Sequence, residues 1–261
     1  MMTASLKRND FLAGNTDTGF LKILALLFMI TDHVGAIFFP KIMELRIIGR
    51  IAFPLYAWCL VVGSVKTKNP LKYALRLLGL AIVSQPLYMM ALNHTWRDFN
   101  ILFTLLLALI AIQGIRAHFL GSEIWVPALC YFVLGFINVD YGWKGITFII
   151  LLYLARNSRS GLVSTFLAYI LFWGASSSQV TRILGWKLPF LKWPGMGTAL
   201  SAFFRLQGMA WLALPFISLR TRTSLRMPRW LGYAAYPLHL VVLILVMLFG
   251  GTPFVNLLQV F

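Results

Sequence analysis

The sequence predicts an all-α membrane protein, a single polytopic bundle of about nine to ten transmembrane helices. Three observations carry that prediction. Of 261 residues, 60% are hydrophobic and 11% charged, whereas soluble domains run near a quarter charged. The apolar residues fall in long runs, and a helix of roughly 20 such residues crosses a bilayer core about 30 Å thick. The 23 Lys and Arg residues sit mainly at the ends of those runs, as in a chain oriented by its basic loops. A net charge of +16 would suggest nucleic acid for a soluble chain. Confined to the flanks of apolar runs, it argues against a nucleic-acid partner and for the lipid bilayer.

Residues 1–19 read as a short polar cytoplasmic tail with Lys7, Arg8, Asp10 and Asp17, and residues 20–261 as one transmembrane domain. The first span, 20–39, carries Lys22, Asp32 and His33. Ionisable groups at that depth cost on the order of 3 kcal/mol each and usually face protein or a wet cavity. Lys22 and His33 are eleven residues apart, about three helical turns, so they share a face roughly 16 Å apart along the axis. Asp32 points about 100° away from His33 and is placed to reach another helix. The plainer alternative has Lys22 snorkelling to the interface and Asp32 and His33 serving as polar glue.

A second span, 47–65, contains Arg50 and Pro54. Proline removes a backbone donor, so the helix is expected to bend close to Arg50. Lys66, Lys68 and Asn69-Pro70 close this hairpin, and a third span, 71–92, carries Arg76, Ser84, Gln85 and Pro86. The junction 93–100 gathers His94, Trp96, Arg97, Asp98 and Asn100. Asn100 opens the next run, where it either caps the helix or serves a site. The fourth span is 101–115, the fifth 124–137 and the sixth 146–154, short unless 142–144 belong to it. The link 138–143 sets Asp140 among aromatics, and the seventh span is 162–174. Residues 175–204 mix turn residues, aromatics and bases, which suits an interface-lying or re-entrant segment. The eighth span is 206–219. Arg220, Arg222, Arg226 and Arg229 then lead into the last span, 230–249, with Tyr236, Pro237 and His239.

Alternating the loops puts Arg8, Lys66, Lys68, Arg116, Arg156, Arg159 and the arginines of 220–229 on one side. By the positive-inside rule that side, with the N-terminus, is cytoplasmic. All seven acidic residues lie at or before Asp140. Cys59 and Cys130 fall within apolar runs, read as inert buried thiols, and supply no metal-ligand spacing. No metal site is expected. Phosphate-binding glycine loops, serine nucleophile elbows and inverted repeats of broken helices are not recognisable either.

The segments KILALLFMITDH (22–33), GRIAFPLYAWCLVVG (49–63), NILF (100–103) and YPLHLVV (236–242) resemble the TraX family of inner-membrane proteins, named for conjugative-pilus biogenesis. The Lys-x10-His spacing of the first span is similar to a pattern of acyltransferase-3 membrane enzymes. The FPL segment of the second is similar to heparan-type lysosomal acetyltransferases. The resemblance implies a bacterial inner-membrane acyltransferase using acetyl-CoA. Its acceptor would be a membrane-inserted pilin N-terminus or another membrane-presented group, such as a glycan or lipid. Residue by residue it points to Lys22, Asp32, His33, Arg50, Phe53, Pro54, Asn100 and His239, with Arg76, Arg97, Asp98 and Asp140 indicated only by proximity.

Histidine suits a general base, because its ordinary pKa of about 6.5 lies near working pH. His33 is expected in that role, with Asp32 orienting a polar group and His239 either a second proton carrier or a partner of Asp32. Lys22, Arg50, Asn100 and Arg76 are the expected cofactor-binding residues, with Lys22 and Arg50 neutralising phosphates or a thioester oxyanion. Two other classes compete: an ion-coupled or small-molecule transporter, since intramembrane Asp, His, Lys and Arg also form relays, and a non-catalytic assembly protein.

Overall fold

The computed structural model describes residues 11–250 apart from 224 and 226. Lys7, Arg8, Asp10 and Arg226, invoked above for the tail and the basic loop, lie outside the described residues. The described architecture is helical: α1 (Thr18–Ile37), α2 (Met43–Gly49), α3 (Ala52–Lys66), α4 (Pro70–Leu92), α5 (Ile101–Ala117), α6 (Ser122–Val133), α7 (Gly142–Ala155), α8 (Arg159–Gly174), α9 (Met196–Ser201), α10 (Leu214–Ser218) and α11 (Arg229–Phe249). Two short ladders interrupt it. β1 (Asp98–Phe99) pairs in parallel with β2 (Asn138–Val139), and β3 (Arg182–Ile183) pairs antiparallel with β4 (Trp186–Lys187).

Among the described residues, four stretches are long and apolar enough to cross a membrane: α1, the 24 residues Met43–Lys66, α4, and Trp230–Phe249 of α11. This is fewer than the nine to ten expected. The helices α5, α6, α7 and α8 have 17, 12, 14 and 16 residues, against roughly 20 for a full crossing. In place of an eighth span stand a 3₁₀ segment, Gly208–Ala213, and the five residues of α10. Gly208 presses its backbone on Gly174, where a Cβ would come within 2.7 Å of it. This close approach lets a tight, short element nestle against α8. Residues 175–204 hold the β3–β4 ladder, a 3₁₀ turn and α9, none of spanning length.

Local chemistry accounts for the boundaries. Asp17, Asn69, Asn100 and Ser158 accept hydrogen bonds from the first turns of α1, α4, α5 and α8, satisfying donors that a helix start leaves free. Pro54 has no N–H to give the carbonyl of Arg50, and the α2–α3 break falls at Arg50–Ile51, where the kink was expected. Residues 142–144 do belong to α7.

The bundle is apolar outside and mixed within. Leu27, Ile82, Val83, Phe132, Phe172 and Val242 are exposed, while Asn15, Ser64, Ser84, Asn100, Thr104, Gln207 and His239 are buried. Exposed apolar faces suit lipid, and buried polar groups mark the interior of a membrane bundle. α3 is enclosed almost all round, with Leu55, Ala57, Trp58 and Val61 at 0% exposure. The described part of 1–19 tucks in rather than trailing away: Leu12 and Asn15 are buried, and Asn15 receives the indole N–H of Trp58 on its carbonyl at 2.6 Å.

The two ends are tied differently. At one, Ala13 N–H donates to Arg156 O, Asn15 N–H to Ile217 O, and Thr223 to Asp17 Oδ2. At the other, Leu184 N–H donates to Glu44, Asp140 N–H to Phe99 O, and Lys144 Nζ to Ser176. Residues assigned to one side from the loop charges, Arg156 and Arg220, therefore meet at a common end with the start of α1.

Candidate functional site

A cavity of 250 Å³ lies among α1, α3, α4, α11 and the β2–α7 link. Its lining runs from Lys22, Tyr73, Met227 and Tyr233 to Asp32, His33, Asp140 and Tyr141. Lys22 and His33 thus face the same space, about three helical turns apart.

His33 sits against the last helix. Its Nδ1 is 3.0 Å from His239 Nε2, and the two rings stack with centroids 5.1 Å apart. His239 Nδ1 is 3.2 Å from the carbonyl of Ala235. A carbonyl only accepts, so His239 carries its proton on Nδ1. With both rings neutral, its Nε2 then accepts from His33 Nδ1–H, and His33 Nε2 keeps its lone pair. His239 is therefore the partner of His33 and not of Asp32. It also lines a second, wholly apolar groove between α1 and α11, with Leu26, Ile30, Val34, Leu238 and Val242. The pair stands between that groove and the cavity.

Asp32 reaches away from its neighbour, as its angular offset requires. Arg50 Nη2 donates to both carboxylate oxygens at 2.6 and 2.7 Å. Arg46 Nη1 lies 3.0 Å from Oδ2 and also donates to the Asp32 carbonyl. Gly49 makes this approach feasible, since a Cβ there would overlap the carboxylate. Arg46 was missed from sequence; its signal was the i, i+4 spacing to Arg50 along α2, which puts both guanidinium groups on one face. Gln207 was missed as well. Its Oε1 accepts from Arg50 Nη1 at 3.3 Å, and a lone Gln beside a glycine gives no pattern to detect. Arg50 Nε and Gln207 Nε2 are buried donors with no acceptor among the described residues, a rare condition in folded proteins.

Other expected site residues lie elsewhere. Asn100 is fully buried and engaged: it caps Leu102 N–H and donates to Ala81 O and Gln85 Oε1. Arg76 is exposed on α4 and outside the cavity lining. Arg50 is turned to Asp32 and Gln207 and is not among the residues that line the cavity. Arg97 lies over the Trp96 ring, 5.0 Å from its centroid. Asp98 accepts from Thr95 and Asn138, bonds that hold its carboxyl below the usual range, the Thr95 hydroxyl contributing most. Phe53 stacks on Tyr141 at 4.2 Å and ties the cavity wall to α3.

Tyr141 has φ 64°, a strained conformation for an aromatic residue that the surroundings must enforce. Asp140 beside it is locked by its N–H to Phe99 and by the Thr104 hydroxyl on its carbonyl. Burial pushes its carboxyl up to about 6, against the pull of Arg50.

The family described as "TraX protein" matches residues 17–247. The chain is 32% identical over 146 residues to a probable fimbrial assembly protein FimC, serogroup H1, of Dichelobacter nodosus, covering 51% of this chain and 59% of that one. It is 29% identical over 204 residues to Protein TraX of Escherichia coli, covering 68% and 79%. An uncharacterised protein, RP591, of Rickettsia prowazekii (strain Madrid E) matches at 28% over 149 residues, covering 54% and 57%. The alignment thus spans less than two thirds of the FimC relative's length. No solved structure matches the chain. With the family match running from the cap of α1 almost to the end of α11, and so across every residue of the histidine pair and the Asp32 cluster, the chain belongs to the TraX family.

Proposed function

We propose that this protein is an integral inner-membrane acyltransferase that moves acetyl from acetyl-CoA to an amine, the N-terminus of a membrane-inserted pilin or a related acceptor. The N-terminus faces the cytosol, and the shorter helices α5 to α8 together with the apolar segment Gly208–Ser218 bring the four long stretches to nine crossings. The observation that carries the reading is the histidine relay: His33 Nε2 holds a lone pair on a ring fixed by His239, beside a cavity that extends towards Lys22. The printed names of the relatives, fimbrial assembly and TraX, favour a pilus-related acceptor.

In this reading the thioester arm enters past Lys22, drawn by the basic loop. The acceptor nitrogen attacks the thioester carbon, and a C–N bond forms as its proton passes to His33 Nε2. The C–S bond then breaks, and His33 returns the proton to the leaving thiolate. Asp32 does not touch the reacting atoms; it fixes Arg50.

The test uses the full chain in nanodiscs with labelled acetyl-CoA and a peptide bearing a free N-terminal amine. His33→Ala is expected to lower transfer by about 10²–10⁴ while acetyl-CoA still binds. Unchanged transfer would remove His33 from the mechanism. Ion flux in proteoliposomes without any acetyl-CoA binding would favour a transporter instead.

A further inference from the structure

We infer that Asp140 is the anchor for a cationic amine, the ammonium form in which the acceptor is held at the inner end of the cavity before it yields one proton to that carboxylate and becomes the neutral nucleophile. The inference rests on the reading of the acceptor as an amine and names the residue that selects it. Two carboxylates line the cavity, Asp32 and Asp140. Asp32 is consumed by Arg46 and Arg50. Asp140 has no ion pair within bonding distance among the described residues, and its carboxylate accepts from the Tyr141 backbone N–H but from no side chain, while it opens on the same space as His33.

Its placement is rigid. The main chain is held on both sides by Phe99 and Thr104, β1 pairs with β2 just before it, and Tyr141 follows in a strained, left-handed conformation with its ring on Phe53. Phe53 lies three residues after Arg50, about one helical turn, so the free carboxylate and the Asp32 cluster share one end of the cavity. A fixed, half-buried carboxylate without a counter-ion is costly to keep, and an ammonium group satisfies it by a charge-assisted hydrogen bond. Aromatic rings from Phe53, Tyr141 and Tyr236 border the same space and suit a cation electrostatically. The charged and titratable groups that face Asp140 are Arg50, Asp32, Tyr88, Tyr141 and Tyr236. Arg50 is already turned to Asp32, which leaves room for an added cation.

The experiment compares two small soluble probes of matched shape, phenethylamine and 2-phenylethanol. Binding to the full chain in nanodiscs is measured by calorimetry at about pH 7.5, where the amine is cationic. The wild type is expected to bind the amine about tenfold tighter than the alcohol, the scale of one charge-assisted hydrogen bond. Asp140→Asn should erase that preference and leave alcohol binding within about twofold, while Asp140→Glu retains part of it. Lowering the pH to about 5 in the wild type should weaken the amine alone, because the carboxyl, with a pKa pushed up to about 6, then takes up a proton. Equal binding of the two probes by the wild type would overturn the inference. So would a preference that survives Asp140→Asn or acidification. The pH arm decides the matter if the Asn variant fails to fold. No arm involves acetyl transfer, so a failure here and a failure of the acyltransfer reading are separate results.

Discussion

Removing the Asp32 carboxylate leaves two guanidinium groups inside the bundle without a counter-charge. The Arg50 and Asp32 side chains are each 12% exposed, and Arg46 is 28% exposed. Losing one partner of a buried pair costs about 3–5 kcal/mol, because the remaining charge stays desolvated. Arg50 accounts for most of this; Arg46 can reach solvent. In a chain of this size each kcal/mol moves Tm by about 2–4 °C, so Asp32→Ala is expected to lower it by roughly 6–20 °C in detergent. The double variant Asp32→Leu/Arg50→Met removes the stranded charge and should recover much of that loss, since well-packed apolar replacements of an ion pair are often neutral. Thermal unfolding followed by tryptophan fluorescence reads both. A fall under about 1 kcal/mol for the single variant would show the pair to be worth no more than a surface one. A double variant no better than the single would show that packing of Asp32, and not its charge, holds α1 to α2.

Asn100→Ala should cost about 0.5–2 kcal/mol as a lost cap, more if Gln85 is left unsatisfied; a cap predicts reduced Tm with unchanged KM for acetyl-CoA, a cofactor ligand the reverse. His239→Ala frees the His33 ring from its partner and should lower kcat by about 10–100-fold with KM for acetyl-CoA nearly unchanged, read in steady-state assays. Asp98 has a folded pKa held below its unfolded value by Thr95 and Asn138, so it stabilises the fold above the usual carboxylate range, near about 4, and loses that contribution as pH falls through the depressed value. Asp98→Ala should therefore lower Tm at neutral pH, with the difference from wild type shrinking as the pH is taken below the usual carboxylate range, as a series of thermal melts would show.

The long elements were legible because their signals are long. α1, α4 and α11 follow from continuous apolar runs, and the α2–α3 break follows from one proline. Lys22 and His33 could be set on a common face because helical period is a local property. The partners of those residues could not. His33 meets His239 across 206 residues, and Arg50 meets Gln207 across 157, separations on which periodicity is silent. Asn100 was readable both as a cap and as a site residue, because a polar residue at the start of an apolar run suits either; the structure shows the cap. The expected eighth span is a short apolar element, Gly208–Ser218, that begins as a 3₁₀ segment where the backbones of Gly208 and Gly174 meet, a contact between distant residues that hydropathy does not report.

The distance in sequence between the two imidazoles has a bearing on biosynthesis. The second is made 206 residues after the first, so a nascent chain carries His33 without its neighbour over all of that interval. Until α11 enters the bilayer, the early ring is free to rotate, and one wall of the cavity, supplied by Tyr233, Ala235 and Tyr236, does not exist. Assembly of the pair and of that wall therefore waits on α11. A polypeptide stalled short of α11 would lack both the partner imidazole and this side of the cavity.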